Sequence, residues 1–74
     1  MAATSRKRRF EYVSGTSDKF WEVGIHGTEV AVSFGRNGTS GQRSTKSFAD
    51  AAAATKHADK LIREKLGKNY VEVP

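Results

Sequence analysis

Hydrophobic and polar residues alternate along the first two-thirds of the chain, and a period of two residues predicts β-strands. In the third of these segments the alternation places Val30, Val32 and Phe34 on one face, and Arg36 continues that face. The last segment is mostly polar, which suits an edge strand or a half-exposed one. The pattern therefore predicts four strands, over residues 7–13, 19–25, 28–36 and 42–48.

Short breaks rich in glycine, asparagine and serine separate the predicted strands. Residues 14–18 form a loop, residues 26–27 a tight turn, and residues 37–41 a longer turn, in which asparagine and glycine tolerate positive φ angles. Because connections this short join neighbouring strands, we expect an antiparallel sheet.

The hydrophobic period becomes helical after residue 47. Small residues begin the predicted apolar stripe and larger ones end it: Ala51, Ala54, Ala58, Leu61, Ile62 and Lys65. Ser47 with Asp50 resembles a capping box at the start of this helix, and Gly67 is a suitable end. Residues 70–73 can return to the sheet as a last short strand. The sequence predicts an α+β fold, a small antiparallel sheet of four to five strands with one helix packed across it.

The size and charge of the chain limit the classes of function that it can have. Its 74 residues leave room for one domain, predicted over residues 6–74 behind a disordered leader, residues 1–5. A net charge of +5 favours anionic partners such as nucleic acid. No segment resembles a membrane span or a secretory signal, so we expect a cytoplasmic monomer that does not bind membranes.

The sequence contains no arrangement of residues typical of an enzyme or of a metal site. A nucleophilic triad needs a base, an acid and a nucleophile within hydrogen-bond reach, whereas His26 lies in a turn and His57 in the helix. With two histidines and no cysteine, a structural zinc site is not expected. We therefore predict a protein that is not an enzyme and has no cofactor.

The turn over residues 35–41 contains three glycines and leaves two interpretations open. It lacks the lysine of a P-loop and does not open a helix, so a nucleotide-binding loop is excluded by context. Its backbone amides could still hold one phosphate, although a hairpin turn that needs its glycines is favoured. Phe34 and Arg36 end the strand before this turn, and the ring can belong to the core or lie at its rim. Further cations lie on neighbouring segments: Lys19, Arg43 and Lys46.

Several segments together resemble WGR domains, a family named for the tripeptide Trp-Gly-Arg. The sequence VSFGRNGTSGQ at residues 32–42 resembles the family's signature, and SDKFW at residues 17–21 resembles the start of its second strand. The helix from Ala54 to Lys65 and the closing Tyr70-Val71-Glu72 resemble the family's helix and tail. The resemblance covers roughly residues 9–73, and the order and spacing of these segments make it specific.

The resemblance implies a module without catalytic activity. WGR domains are known from DNA-damage-activated poly(ADP-ribose) polymerases and from bacterial proteins of the molybdate-metabolism-regulator type. In the polymerases the domain binds the end of a DNA break near the 5′ terminus and contacts neighbouring domains. Since 74 residues cannot hold a polymerase catalytic domain, the chain resembles the stand-alone or N-terminal WGR domains of bacterial proteins more than it resembles a polymerase.

By resemblance, Phe34 would lie against a terminal sugar, and Arg36 would bridge DNA and a partner domain. Ser17, or Asp18 beside it, would meet the backbone from its loop. Phe34 replaces the tryptophan of the family's name, which keeps a flat apolar face but removes the indole donor. The predicted nucleic-acid-binding residues are Phe34, Arg36, Ser17, Lys19, Gln42, Arg43 and Lys46. Two hypotheses follow, a module that binds DNA ends or nicks and a protein-docking module of a larger bacterial WGR protein.

Overall fold

The computed structural model describes residues 5–73, with side chains from Lys7 onward. Five strands and one helix follow one another along the chain: β1 (Ser5–Ser14), β2 (Ser17–His26), β3 (Glu29–Arg36), β4 (Gln42–Ser47), α1 (Ala51–Gly67) and β5 (Val71–Val73). The predicted α+β fold is confirmed. Of the predicted leader, residues 1–4 lie outside the described residues, and Ser5 begins β1.

The strands form one antiparallel sheet in the order β4-β3-β2-β1-β5. Directly paired residues of antiparallel strands point to the same face of the sheet. The register aligns Phe10 with Trp21 and Trp21 with Phe34, so that one face carries an aromatic row across three strands. The intervening residues, Arg9, Glu22 and Ser33 among them, point to the other face.

Helix α1 covers the face with the aromatic row and closes the core. The rings of Phe10 and Trp21 lie 5.7 Å apart at an interplanar angle of 52°, a tilted arrangement that aromatic pairs prefer. Ala54 and Ala58 are completely buried, and their small side chains let the helix lie close to the sheet. The prediction that the alanine end of the helix packs against the sheet is therefore confirmed at Ala54 and Ala58, whereas it is wrong for Ala51, which is exposed in the first turn of the helix. The helix is too short and too polar to cross a membrane.

The start of the helix differs from the sequence prediction. Asp50, in an extended conformation, is the N-cap, and its carboxylate accepts a 2.8 Å hydrogen bond from the amide of Ala53. The predicted capping box beginning at Ser47 is wrong, because Ser47 is the last residue of β4. The amide of Phe48 still donates to the carbonyl of Thr28 at 2.9 Å, which keeps the chain attached to the sheet at this point.

The helix ends at Gly67, as predicted. The amides of Lys68 and Tyr70 donate to the carbonyl of Lys65 at 3.0 and 3.1 Å, and that of Asn69 donates to Leu66 at 3.1 Å. Asn69 has a φ angle of 70°, a left-handed conformation that asparagine tolerates, and turns the chain into β5.

Candidate nucleic-acid interface

The ends of β2 and β3 bring an aromatic ring and two cations together at one edge of the helix-covered face. Trp21 is paired with Phe34, and Lys19 with Arg36, so all four side chains belong to this face. Trp21 is buried, whereas Phe34 is 40% exposed. Because α1 does not cover this end of the sheet fully, Phe34 lies at the rim of the core, one of the two positions that the sequence left open.

A cavity of about 430 Å³ opens beside this ring. Four of the predicted site residues line it: Ser17, Lys19, Phe34 and Arg36. Trp21 contributes from β2, Lys65 from the last turn of α1, and Tyr70 from the residue just before β5. The fold thus gathers a serine hydroxyl, three cations and an exposed ring around a single cavity.

The other three predicted residues are placed differently. Lys46 lines a second cavity of about 370 Å³ on the β4 side of Phe34. Gln42 is the exposed β4 partner of Phe34 in the register. Arg43 is paired with Ser33 and therefore lies on the opposite face of the sheet. Six of the seven residues share the region of Phe34, and Arg43 does not.

The structure adds four residues that sequence reasoning did not assign to the site. The ammonium nitrogen of Lys65 lies 5.6 Å from the ring centre of Trp21 and 5.2 Å from that of Tyr70. The rings of Tyr12 and Tyr70 are 5.5 Å apart. Lys68 joins Lys65 and the two tyrosines around an adjoining cavity. The one signal in the sequence was Lys65 itself, a cation on an otherwise apolar helical stripe.

The cations of this region are not neutralised by carboxylates. Among residues 7–73, no ion pair involves any of the four: Lys19, Arg36, Lys65 and Lys68. Burial lowers the pKa of the Lys65 ammonium below its usual value, the positive charges of Lys68 and Lys19 lower it further, and Glu64 partly opposes the shift. A partly buried cation beside like charges is stabilised by an anion, so the surface suits an anionic ligand.

The turn after β3 is held firmly by internal hydrogen bonds. The amide of Asn37 donates to the carbonyl of Asp18 at 2.9 Å, and its side-chain nitrogen donates to the Asp18 carboxylate at 2.7 Å. The amide and hydroxyl of Thr39 donate to the carbonyl of Arg36 at 3.1 and 2.7 Å. Two of the amides considered for a phosphate are thus used inside the protein, which favours the hairpin-turn interpretation. The Asp18 carboxylate is likewise occupied by Asn37.

The family model of the WGR domain matches residues 6–74 of this chain. This chain belongs to the WGR domain family. Membership is consistent with a small module that binds nucleic acid or serves a regulatory role. In this WGR domain, Phe34-Gly35-Arg36 stands at the exposed strand end described above.

Two similar proteins come from Escherichia coli (strain K12). Protein YehF is 51% identical over 65 residues, which cover 88% of this chain and 24% of YehF. The uncharacterized protein YfeS is 40% identical over 68 residues, which cover 92% of this chain and 28% of YfeS. This WGR domain therefore spans about a quarter of the length of the curated relatives that it matches.

A crystal structure of a Bacteroides fragilis protein has the same fold. It superposes with a TM-score of 0.90 at 45% sequence identity, covering 93% of this chain and 20% of that one. In all three comparisons, the WGR domain corresponds to a minor part of a longer protein.

Proposed function

We propose that this WGR domain is a non-catalytic module that binds DNA ends and backbone through its Phe34-Gly35-Arg36 strand end and the adjoining turn. The observation that carries the proposal is the 40% exposure of the Phe34 ring beside Arg36 and Lys19, two cations without a carboxylate partner among residues 7–73. An exposed aromatic ring surrounded by uncompensated cations is typical of surfaces that bind nucleic-acid strands.

Each side chain has a role that fits its chemistry. The ring of Phe34 would pack against the sugar or base at the end of a strand, where no further base pair competes for its face. Arg36 and Lys19 would meet phosphate oxygens, and the Ser17 hydroxyl would donate a hydrogen bond to the same backbone. None of these contacts reads a base edge, so we expect little sequence preference.

The salt dependence of the affinity measures the number of phosphate contacts. Each neutralised phosphate releases counterions and steepens the fall of log affinity with log salt by about 0.9 for duplex DNA. Two cations in direct contact, Arg36 and Lys19, would thus give a slope of about −1.8, and the net charge of +5 would add attraction at longer range.

The test is an NMR titration of the ¹⁵N-labelled domain with a short blunt duplex that carries a 5′ phosphate, at two salt concentrations. We expect shifts at Phe34, Arg36 and residues 35–41 that fade as salt is added. Arg36→Ala should abolish most of them. Arg43→Ala is the matched control, because it removes the same charge from the opposite face. An unchanged spectrum at low salt would rule out the proposal.

A second candidate function, protein docking, has its own supporting observation. Val13 and Val71 are 68% and 65% exposed. By the register of β1 with β5, both lie on the sheet face that α1 does not cover. Two exposed apolar side chains on the same face of neighbouring strands favour a protein contact. Val71→Lys should then abolish docking to the remainder of a longer WGR protein, measured by titrating the labelled domain with that remainder, and leave any DNA titration unchanged.

A further inference from the structure

Strand β4 forms one open edge of the sheet. All six of its residues are exposed, and in the order β4-β3-β2-β1-β5 its neighbour is β3 on one side, with no described strand on the other. An edge of this kind presents a row of backbone amides and carbonyls to which another strand can pair. The strand at the opposite edge, β5, has three residues, half the length of β4.

A hydrogen bond at the end of β4 shows which of its backbone groups point outward. The amide of Phe48, one residue beyond β4, donates to the carbonyl of Thr28, one residue before β3, at 2.9 Å. Hydrogen-bonded and non-hydrogen-bonded pairs alternate along an antiparallel ladder. The even-numbered residues of β4 are therefore bonded to β3. The odd-numbered ones, Arg43, Thr45 and Ser47, direct their amides and carbonyls away from the sheet.

A second hydrogen bond, at the other end of β3, gives the same alternation. The amide of Asn37 donates to the carbonyl of Asp18 in β2 at 2.9 Å. The odd-numbered residues of β3 are thus bonded to β2, which leaves the even-numbered ones for β4, as the first hydrogen bond requires. The outward direction of the three odd-numbered residues of β4 rests on both.

The outward edge has a positive charge on each face of the sheet. Arg43 is paired with Ser33 and lies on the uncovered face, whereas Lys46 is paired with Val30 and lies on the face that α1 covers. In the described part of the chain neither forms an ion pair. The Lys46 nitrogen lies 5.5 Å from the ring centre of Phe48, a contact that positions the cation without neutralising it. Residues 30–49 contain no aspartate or glutamate.

We propose that β4 binds an extended acidic segment of a partner protein as a sixth, antiparallel strand of the sheet. Each odd-numbered residue of β4 would exchange two backbone hydrogen bonds with the residue opposite it. Directly opposed residues share a face, so one carboxylate would meet Arg43 and another would meet Lys46. Because these cations are three positions apart, the segment should carry its acidic residues three positions apart as well.

The edge suits a peptide better than a nucleic-acid strand. Phosphate oxygens only accept hydrogen bonds, so they would leave the outward carbonyls of β4 without donors, whereas a peptide backbone offers both donors and acceptors. A nucleic-acid strand along one face would also meet only one of the two cations, Arg43 or Lys46. Side chains of an extended peptide alternate between the faces and can meet both.

Charge also favours an acidic partner over a second copy of this chain. Two copies paired through β4 would bring Arg43 and Lys46 of each copy to one seam without a carboxylate from either strand, and each copy carries a net charge of +5. Charged side chains on an edge strand commonly oppose such self-pairing. The same two cations attract an acidic strand.

The first experiment titrates the ¹⁵N-labelled domain with the capped peptide Thr-Val-Glu-Thr-Val-Glu-Thr-Val. Its control, Thr-Val-Glu-Thr-Glu-Val-Thr-Val, has the same composition, but its glutamates are two positions apart and share one face. We expect the first peptide to bind about two- to fivefold tighter, the contribution of one exposed ion pair. The largest shifts and a new protection from solvent exchange should occur at the amides of Arg43, Thr45 and Ser47.

Charge reversal tests the pairing of side chains. Arg43→Glu should weaken binding of the first peptide about five- to tenfold, because it replaces an attraction by a repulsion. In the antiparallel arrangement the second glutamate of the peptide lies opposite residue 43. A peptide with lysine in place of that glutamate should restore binding to Arg43→Glu. The control peptide, with lysine in place of the first glutamate, should not.

A proline substitution tests the pairing of the backbone. Thr45→Pro removes an amide that faces away from β3, so the β3–β4 ladder should remain. Peptide binding should fall about tenfold, because one hydrogen bond is lost and the ring obstructs the added strand. Thr45→Val keeps the amide and should bind within about twofold of the wild type. The amide spectrum of each variant establishes that it is folded.

The inference is independent of the proposed function, which is measured at Phe34 and Arg36. Equal binding of the peptides with three- and two-residue spacing, together with equal binding by folded Thr45→Pro and Thr45→Val, would mean charge attraction alone and would overturn it. So would absence of peptide binding while a duplex shifts Arg43 and Lys46 together, since β4 would then contact DNA. Self-association of the domain that Thr45→Pro abolishes, measured by sedimentation, would assign the edge to a second copy instead.

Discussion

The guanidinium of Arg9 in β1 donates a 2.7 Å hydrogen bond to the side-chain oxygen of Asn37, which directly follows Arg36 at the end of β3. Asn37 in turn donates to the Asp18 carboxylate in β2 at 2.7 Å. A continuous hydrogen-bonded chain therefore links three segments behind the candidate interface. Because it fixes the backbone immediately after Arg36, it limits the positions that the Arg36 side chain can reach.

Replacing Arg9 should therefore affect both stability and DNA binding. The guanidinium also donates to the carboxylates of Glu11 and Glu22 at 3.0 Å and lies 4.5 Å from the ring centre of Phe20. We expect Arg9→Ala to lower the free energy of unfolding by about 1–2 kcal/mol, since it leaves the Glu11 carboxylate without its partner and Glu22 with only Lys7 at 3.6 Å. Urea denaturation measures this, with the exposed Arg63→Ala as control.

The same variant distinguishes a positioning role from direct DNA contact. Arg9 belongs to the sheet face opposite Phe34, so Arg9→Ala should reduce duplex affinity while the salt slope stays unchanged. A slope reduced by about 0.9 would mean that Arg9 itself contacts a phosphate, and the positioning role would be wrong.

Gly41 should be required for the turn that supports Arg36. Its φ angle is 69°, and a Cβ there would lie 2.2 Å from the Phe34 carbonyl oxygen and 2.9 Å from the Phe20 ring. Gly27 has a similar φ of 64° but nothing within 4 Å of its Cβ position. We expect Gly27→Ala to cost about 1 kcal/mol from backbone strain alone, and Gly41→Ala several kcal/mol, because the backbone must move.

Denaturation of the two alanine variants isolates the steric effect from the strain that they share. Equal losses of stability in the two variants would show that the clash of the added Cβ at position 41 with Phe34 and Phe20 is easily relieved. A larger loss in Gly41→Ala should be accompanied by changed amide shifts at Phe34 and Arg36.

The strands and the helix could be predicted because their signals are local. Period-two alternation and glycine-containing turns identify the strands, and the alanine stripe identifies the helix. The helix start was misplaced by three residues, since Ser47 offers the same local signal as Asp50. The choice of Asp50 as the N-cap depends on the hydrogen bond from the Phe48 amide to the Thr28 carbonyl, which keeps the chain on the sheet beyond Ser47. These two residues are twenty apart in the chain.

The candidate site was predicted only in part, for a related reason. Ser17, Lys19, Phe34 and Arg36 meet because short hairpins fix the register of β2 with β3. The sequence alone could have shown that Arg43 and Gln42 lie on opposite faces of the sheet, because neighbouring residues of a strand point to opposite faces. Lys65 was signalled only as a cation on an apolar helical stripe. Its grouping with Lys68 and Tyr12 depends on tertiary contacts that no local pattern reveals, since the Lys65 ammonium lies near the Trp21 and Tyr70 rings and Tyr70 packs on Tyr12.

The size of the ring at position 34 should control DNA affinity. Phe34→Ala removes the exposed stacking face, and we expect it to weaken duplex binding by about 1–2 kcal/mol, with a smaller effect on stability because the ring is partly exposed. Phe34→Trp restores the residue of the family's name and should strengthen binding, since indole offers more area and a donor. Fluorescence anisotropy with a labelled duplex measures both, and a tryptophan variant that binds no better would exclude stacking at this position.

The link between the first and last strands should weaken in acid. Arg8 donates two hydrogen bonds to the Glu72 carboxylate, at 2.8 and 2.7 Å, and so joins β1 to β5. These hydrogen bonds lower the pKa of Glu72 below its ordinary value of 4.5. Because the folded-state pKa is the lower one, the stabilisation is fully present above about pH 4.5 and is lost as the pH falls through the folded-state pKa.

Removing the carboxylate should remove that part of the acid response. We expect Glu72→Gln to be less stable than the wild type above about pH 5 and to lose less stability on acidification. Thermal unfolding across a pH series measures the midpoint, and hydrogen exchange at Val71 and Val73 reports the pairing of β5 directly. Glu29→Gln is the control, because Glu29 is exposed and forms no ion pair among residues 7–73. If Glu72→Gln retained the full acid response of the wild type, the pH dependence would have to come from other carboxylates.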